Sequence, residues 1–123
     1  MMNGQVSDRM FSGSRILAIL ATAVIIKISA TVTAYSPYEC PNKHTASGTT
    51  PKAGRTVAAS RHIPLGARVY IPSRGWHIVE DRMARRYDRG QKPRIDIYMT
   101  SRAEAMKWGI RELQVEVVQV GTK

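Results

Sequence analysis

The chain has 123 residues, which allows one small domain. Its formal net charge of +10 favours polyanions and anionic surfaces as partners. A single cysteine, Cys40, excludes an intramolecular disulfide and a zinc cluster of the usual kind. No metal or other cofactor is expected.

Residues 16–26, ILAILATAVII, form an uncharged run preceded by Arg9 and Arg15 and followed by Lys27. A bilayer-spanning helix takes about 20 apolar residues, so this run is too short to cross. A basic start and a short apolar stretch make the secretory-signal pattern. Cleavage is expected after Ala30, although Ile28 stands where such sites usually carry a small residue. The expected division is therefore 1–30 as signal peptide or N-terminal anchor and 31–123 as the domain. An uncleaved segment would contact the membrane. The domain is expected to be exported, to the periplasm, cell envelope or extracellular space, and to act as a monomer.

Beyond Ala30 the chain reads as short strands. Residues 31–36, TVTAYS, alternate β-branched and aromatic side chains and predict a strand. Residues 37–55 hold three prolines and two glycines and read as a long loop. TVAAS (56–60) predicts a second strand and ARVYIP (67–72) a third. Ser73-Arg74-Gly75 is a hairpin-sized connection. WHIVED (76–81) follows as the fourth strand and RIDIYM (94–99) as the fifth. Thr100 and Ser101 offer hydroxyl N-caps for a helix that Gly109 stops. QVEVVQV (114–120) is the sixth strand. Six strands with one helix before the last predict a mainly β fold, a small closed barrel without free edges.

The densest chemistry lies in VEDRMARRYDRGQKPRIDIYM (79–99). Asp81 ends one strand and Asp96 sits on the next, between Ile95 and Ile97. A carboxyl on such a strand, if desolvated, holds its proton to higher pH, as a general acid must. The arginines between the two acids are most simply a solvated face; contact with anionic substrate is the alternative. Glu80 points to the other face from Asp81 and reads as structural. Trp76 and Trp108 read as barrel core and helix packing, and His44 as a solvated loop residue.

VTAYS, TASGTTPKAGRTVAAS, IPLGARVYI, GWHIVEDR, RIDIYM and SRAEAMKWGIRELQVEV, in this order and spacing, resemble the 3D (Asp-Asp-Asp) domain. The resemblance spans essentially residues 31–118. That domain looks like the catalytic barrel of membrane-bound lytic transglycosylase A and is similar in fold to rare lipoprotein A and the expansins. The resemblance implies a six-stranded double-psi β-barrel whose partner is the glycan strand of peptidoglycan. It also implies cleavage of the MurNAc–GlcNAc β-1,4 bond without water, leaving an anhydro ring. By position Asp96 becomes the general acid/base and Asp81 its neighbour. Ser60 stands where the family usually carries its first aspartate. Thr33, Tyr35, Thr45, Ser47, Ser60, Tyr98 and Arg94 are the expected substrate contacts. A barrel that binds cell-wall polysaccharide without cutting it is the competing reading. A basic nucleic-acid binder is a third, against which the apolar N-terminus argues.

Overall fold

In the computed structural model, which describes residues 22–39 and 44–121, the alternating segments become six strands. They are β1 (Thr22–Tyr35), β2 (Thr56–Ala59), β3 (Arg68–Ile71), β4 (Gly75–Arg82), β5 (Arg94–Tyr98) and β6 (Arg111–Gly121). A 3-10 turn (Pro37–Glu39) follows β1, and two short helices, α1 (Arg85–Asp88) and α2 (Arg102–Trp108), flank β5. The strands close into a barrel in the order β1-β5-β2-β4-β3-β6. Two pairings, β1 with β5 and β2 with β4, are parallel, and the other four are antiparallel.

Side chains of alternating parity fill the interior. Val32, Val57, Val69, Val79, Ile95 and Ile97 are fully buried and belong to one core cluster. Each such burial contributes about 1.5–3 kcal/mol. α2 packs against β1. Ser101 Oγ accepts from the Glu104 N–H at 3.1 Å, and Gly109 ends the helix at φ 71°, a conformation that favours glycine. Trp108 packs into the core and donates its Nε1–H to the Val32 carbonyl at 3.1 Å. His77 also points inward, and desolvation holds its imidazole below the usual histidine range.

Two expectations are corrected. Trp76 is not core: it is 49% exposed and lies edge-to-face on Tyr70 at 5.3 Å, on the barrel's outer surface. The parity of β4 buries His77 and Val79 and so turns Trp76 outward. Residues 22–30, assigned from sequence to an apolar N-terminal segment expected to be a signal-like helix, are instead strand, the first part of β1. Val24, Ile25, Ile26 and Ile28 are β-branched, and this stretch pairs residue by residue with Leu113–Gly121 of β6. The remainder of the apolar run, residues 16–21, and Cys40 lie outside the described residues.

The upstream half of β1 therefore belongs to the barrel seam. A chain beginning at Thr31 keeps the β1–β5 pairing but retains only Thr31 and Val32 against β6, and it loses the buried Ala30. Its melting temperature is expected to fall about 5–10 °C below that of a chain beginning at Thr22. Differential scanning calorimetry of the two chains is the check, and equal melting would show the extension to be dispensable.

Candidate functional site

β5 lies between β1 and β2, and its outward residues define the site. Asp96 is opposite Thr33 of β1 on one side and Ala58 of β2 on the other. Ala58 is in turn opposite Asp81 of β4. The two aspartates thus occupy one row across three strands. Their backbones are roughly 10 Å apart, two strand spacings. The alanine between them leaves open space, and a groove of about 330 Å³ forms there. Its lining includes Asp81, Asp96, Tyr35, Glu39, Met83 and Ala84.

A β-bulge makes this row possible. The β2–β4 register runs Val57 to Val79 and then Ala58 to Asp81, leaving Glu80 as the extra residue. Without the bulge, Val79 and Asp81 would share a face. Glu80 is buried at the bulge, where Oε1 accepts from Thr56 Oγ1 at 2.6 Å and from Arg55 Nε at 3.1 Å. It has the structural role read from the sequence.

Asp96 is half-buried, and its carboxyl is pushed up to about 6. Desolvation is the main cause. Thr33 Oγ1 donates to Asp96 Oδ1 at 2.9 Å, which opposes the rise, as does the charge of Arg94. The negative charges of Glu39 and Asp81 add to it. Asp81 Oδ1 accepts the Ala46 N–H at 3.0 Å and the Arg82 N–H at 2.8 Å. Its carboxylate thereby docks the 44–50 loop against β4, assisted by the Ser47 N–H donating to the Glu80 carbonyl at 3.0 Å.

Glu39 is the functional candidate that reading the sequence missed. It sits in a 3-10 turn inside a proline-rich loop, where no periodicity marks which way it faces. Its Oε1 accepts from Ser36 Oγ at 2.7 Å and from the Ser36 N–H at 2.8 Å. The hydroxyl bond chiefly, with the backbone N–H and the nearby Arg102 cation, holds Glu39 below the usual carboxylate range. The groove thus contains one acid kept ionised and one kept partly protonated. Such a divergence lets two carboxyls play different roles in one site.

The other expected contacts separate into groups. Thr33 holds Asp96, and Tyr35 lines the groove. Tyr98 packs edge-to-face on Tyr35 at 5.3 Å, in a small outer cluster with Ala58, Met83 and Tyr87. Arg94 lies on the flank, its guanidinium over the Tyr87 ring at 4.5 Å. Ser47 is exposed on the docked loop. Thr45 is buried and bonded to Thr49 at 2.7 Å, which shapes its own loop. Ser60 is corrected. It is fully buried, accepts the Arg94 N–H at 3.1 Å and pairs with His62 Nδ1 at 2.8 Å, so no surface of it faces a substrate.

The arginine-rich stretch divides as well. Arg82 turns inward, and its Nη1 donates to the carbonyls of Ala59, Ser60 and Ile63 at 3.1, 2.9 and 2.7 Å. Asp88, buried at the end of α1, pairs with Arg61. Arg86 stacks on Tyr87 at 4.7 Å, and Arg85 and Arg89 are exposed. Among the described residues no group of three His, Cys, Asp or Glu side chains is placed to hold a metal ion.

No curated protein matches the sequence. The family model of the 3D domain matches residues 55–120, more than half of the chain. The match contains the Asp81–Ala58–Asp96 row. β1, with Thr33 and Tyr35, and the Glu39 turn lie upstream of it, and β1 is joined to it through β5 and β6. By this match the chain belongs to the 3D domain family.

Proposed function

We propose that this barrel binds the glycan strands of peptidoglycan and cleaves them by a lytic-transglycosylase reaction, with Asp96 as acid and then base. One observation carries the reading: a desolvated carboxyl, raised to about 6, opens onto a groove from a rigid strand. In the reaction Asp96 gives its proton to the departing glycosidic oxygen as the bond to the anomeric carbon breaks. The resulting carboxylate then takes the proton of the sugar's 6-hydroxyl as that oxygen attacks the same carbon. The proton count is closed and no water is consumed. Thr33 aims the carboxyl. Glu39, ionised by its bonds to Ser36, lowers the energy of the positive charge that develops on the sugar ring. Exposed Arg85, next in sequence to the groove-lining Ala84, would meet the carboxylates of the peptides that branch from the glycan. The two parallel pairings, β1 with β5 and β2 with β4, fit a double-psi barrel. This substrate lies outside the cell membrane, so the reading requires export, and any signal or anchor would have to lie upstream of β1, which begins at Thr22.

The expected result is anhydro-muropeptides by mass spectrometry when murein meets the wild-type protein, and none with Asp96→Asn at unchanged circular dichroism. Because the first step needs the proton, the rate is expected to fall about tenfold per unit above pH 6. Digests lacking the anhydro product, or a rate that rises from pH 6 to 8, would overturn the reaction. A non-catalytic wall-binding barrel is favoured by one observation, the buried, structural Ser60 in place of the family's first aspartate. It predicts co-sedimentation with insoluble murein and no product.

A further inference from the structure

A second concavity, of about 400 Å³, lies beside α2 and shares no lining residue with the groove. Three cations from three separate elements converge on it: Arg74 from the β3–β4 turn, Lys107 from α2 and Arg111 from the start of β6. Glu104 is the acid on its wall, and its Oε1 accepts from Thr100 Oγ1 at 3.0 Å. None of the three cations has a carboxylate within ion-pair distance among the described residues. The formal charge of the lining is therefore two positive.

The two arginines are also held in place. The Arg111 guanidinium stacks on the Trp108 ring at 3.7 Å, and its Nε–H donates to the Trp108 carbonyl at 3.1 Å. This fixes the plane of the fork while its terminal nitrogens make no bond within the described chain. Arg74 approaches the same ring at 5.7 Å. Its position is set by the tight turn, in which Ser73 has φ 69° and Gly75 φ 86°. A solvated face would spread its lysines and arginines over one element and leave them mobile. Here the two arginines meet at one indole, and a planar, pre-aimed guanidinium loses little entropy on binding an oxyanion.

We propose that this concavity is a binding site for a phosphate-type oxyanion. Two net positive charges match a dianionic phosphate, and a fixed guanidinium can bond two of its oxygens at once. The phosphate group has two sources, free inorganic phosphate and the phosphate of a larger chain. The site does not depend on the cleavage reading, and Asp96→Asn is expected to bind phosphate as the wild type does.

The test uses the full chain with Trp76→Phe, which leaves Trp108 as its one tryptophan. Inorganic phosphate is titrated at constant ionic strength while indole emission is followed. A saturable change is expected. Arg74→Gln and Lys107→Gln, which hold no part of the fold together, should each weaken it about 3–5-fold. Arg68→Gln, an equal loss of charge on the exposed face of β3, should leave it unchanged. A parallel titration with poly(glycerol phosphate) separates the sources: tighter binding per phosphate indicates a chain-borne group, and equal or weaker binding indicates free phosphate. Absence of saturation, or an equal weakening by Arg68→Gln, would overturn the proposal.

Discussion

Asp96→Asn is expected to make the protein more stable at pH 7 while abolishing the proposed cleavage of murein. The carboxyl titrates near 3.8 when unfolded and about 6 when folded. Between these values the folded chain keeps a proton that the unfolded chain has released. Stability therefore declines as pH rises through that window, and the deficit is complete above about pH 6. A shift of about two units corresponds to about 3 kcal/mol. The groove is open to water, which reduces it, so a gain of about 1–3 kcal/mol is expected for the neutral amide. The asparagine oxygen can still accept from Thr33, so the hydrogen bond is retained. Urea denaturation at pH 7 and pH 4 is the measurement. A gain at pH 7 that vanishes at pH 4 identifies a desolvated acid, which the proposed general acid must be. Equal stabilities at pH 7 would show Asp96 to be an ordinary solvated carboxylate.

The largest loss is expected from Arg82→Ala. One guanidinium nitrogen serves three carbonyls in the turn after β2, at Ala59, Ser60 and Ile63. Hydrogen bonds from a charged donor contribute about 1.5–3 kcal/mol each and are not additive when they share an atom. A loss of about 3–4 kcal/mol is expected, with partial recovery in Arg82→Lys, whose ammonium keeps the charge but not the planar fork. Arg85→Ala, exposed on α1, should stay within about 0.5 kcal/mol of wild type. The check is the urea midpoint of each variant. A small effect at Arg82 would mean that the turn holds without it.

These two residues also show how far sequence carries. RIDIYM alternates cleanly, so the strand and the outward face of Asp96 could be read directly. The N-cap at Ser101 and the stop at Gly109 have local causes and were legible for the same reason. Arg82 was not legible, because VEDR offers no sign of which arginine turns inward. That is decided by the carbonyls of a turn twenty residues away in sequence. Glu39 escaped because turns carry no period. The upstream half of β1 escaped because an unbroken apolar run hides the strand's parity, and only the facing ladder of β6 reveals it. Ser60 was placed by family correspondence, and burial against Arg94 and His62 gives it a different task.

The bulge at Glu80 has a consequence for changes in chain length. In a regular strand, losing one residue turns every later side chain to the opposite surface. Here removal of the surplus residue would bring Asp81 next after Val79, and the existing partners, Val57 with Val79 and Ala58 with Asp81, would persist. The cost would fall on the bonds to Arg55 and Thr56 and on the Ser47 N–H bond that helps dock the 44–50 loop, while the Asp81–Ala58–Asp96 row would remain. β4 thus has one position where a codon can be lost and its two ends keep their orientations, so natural length variation in this strand should concentrate there.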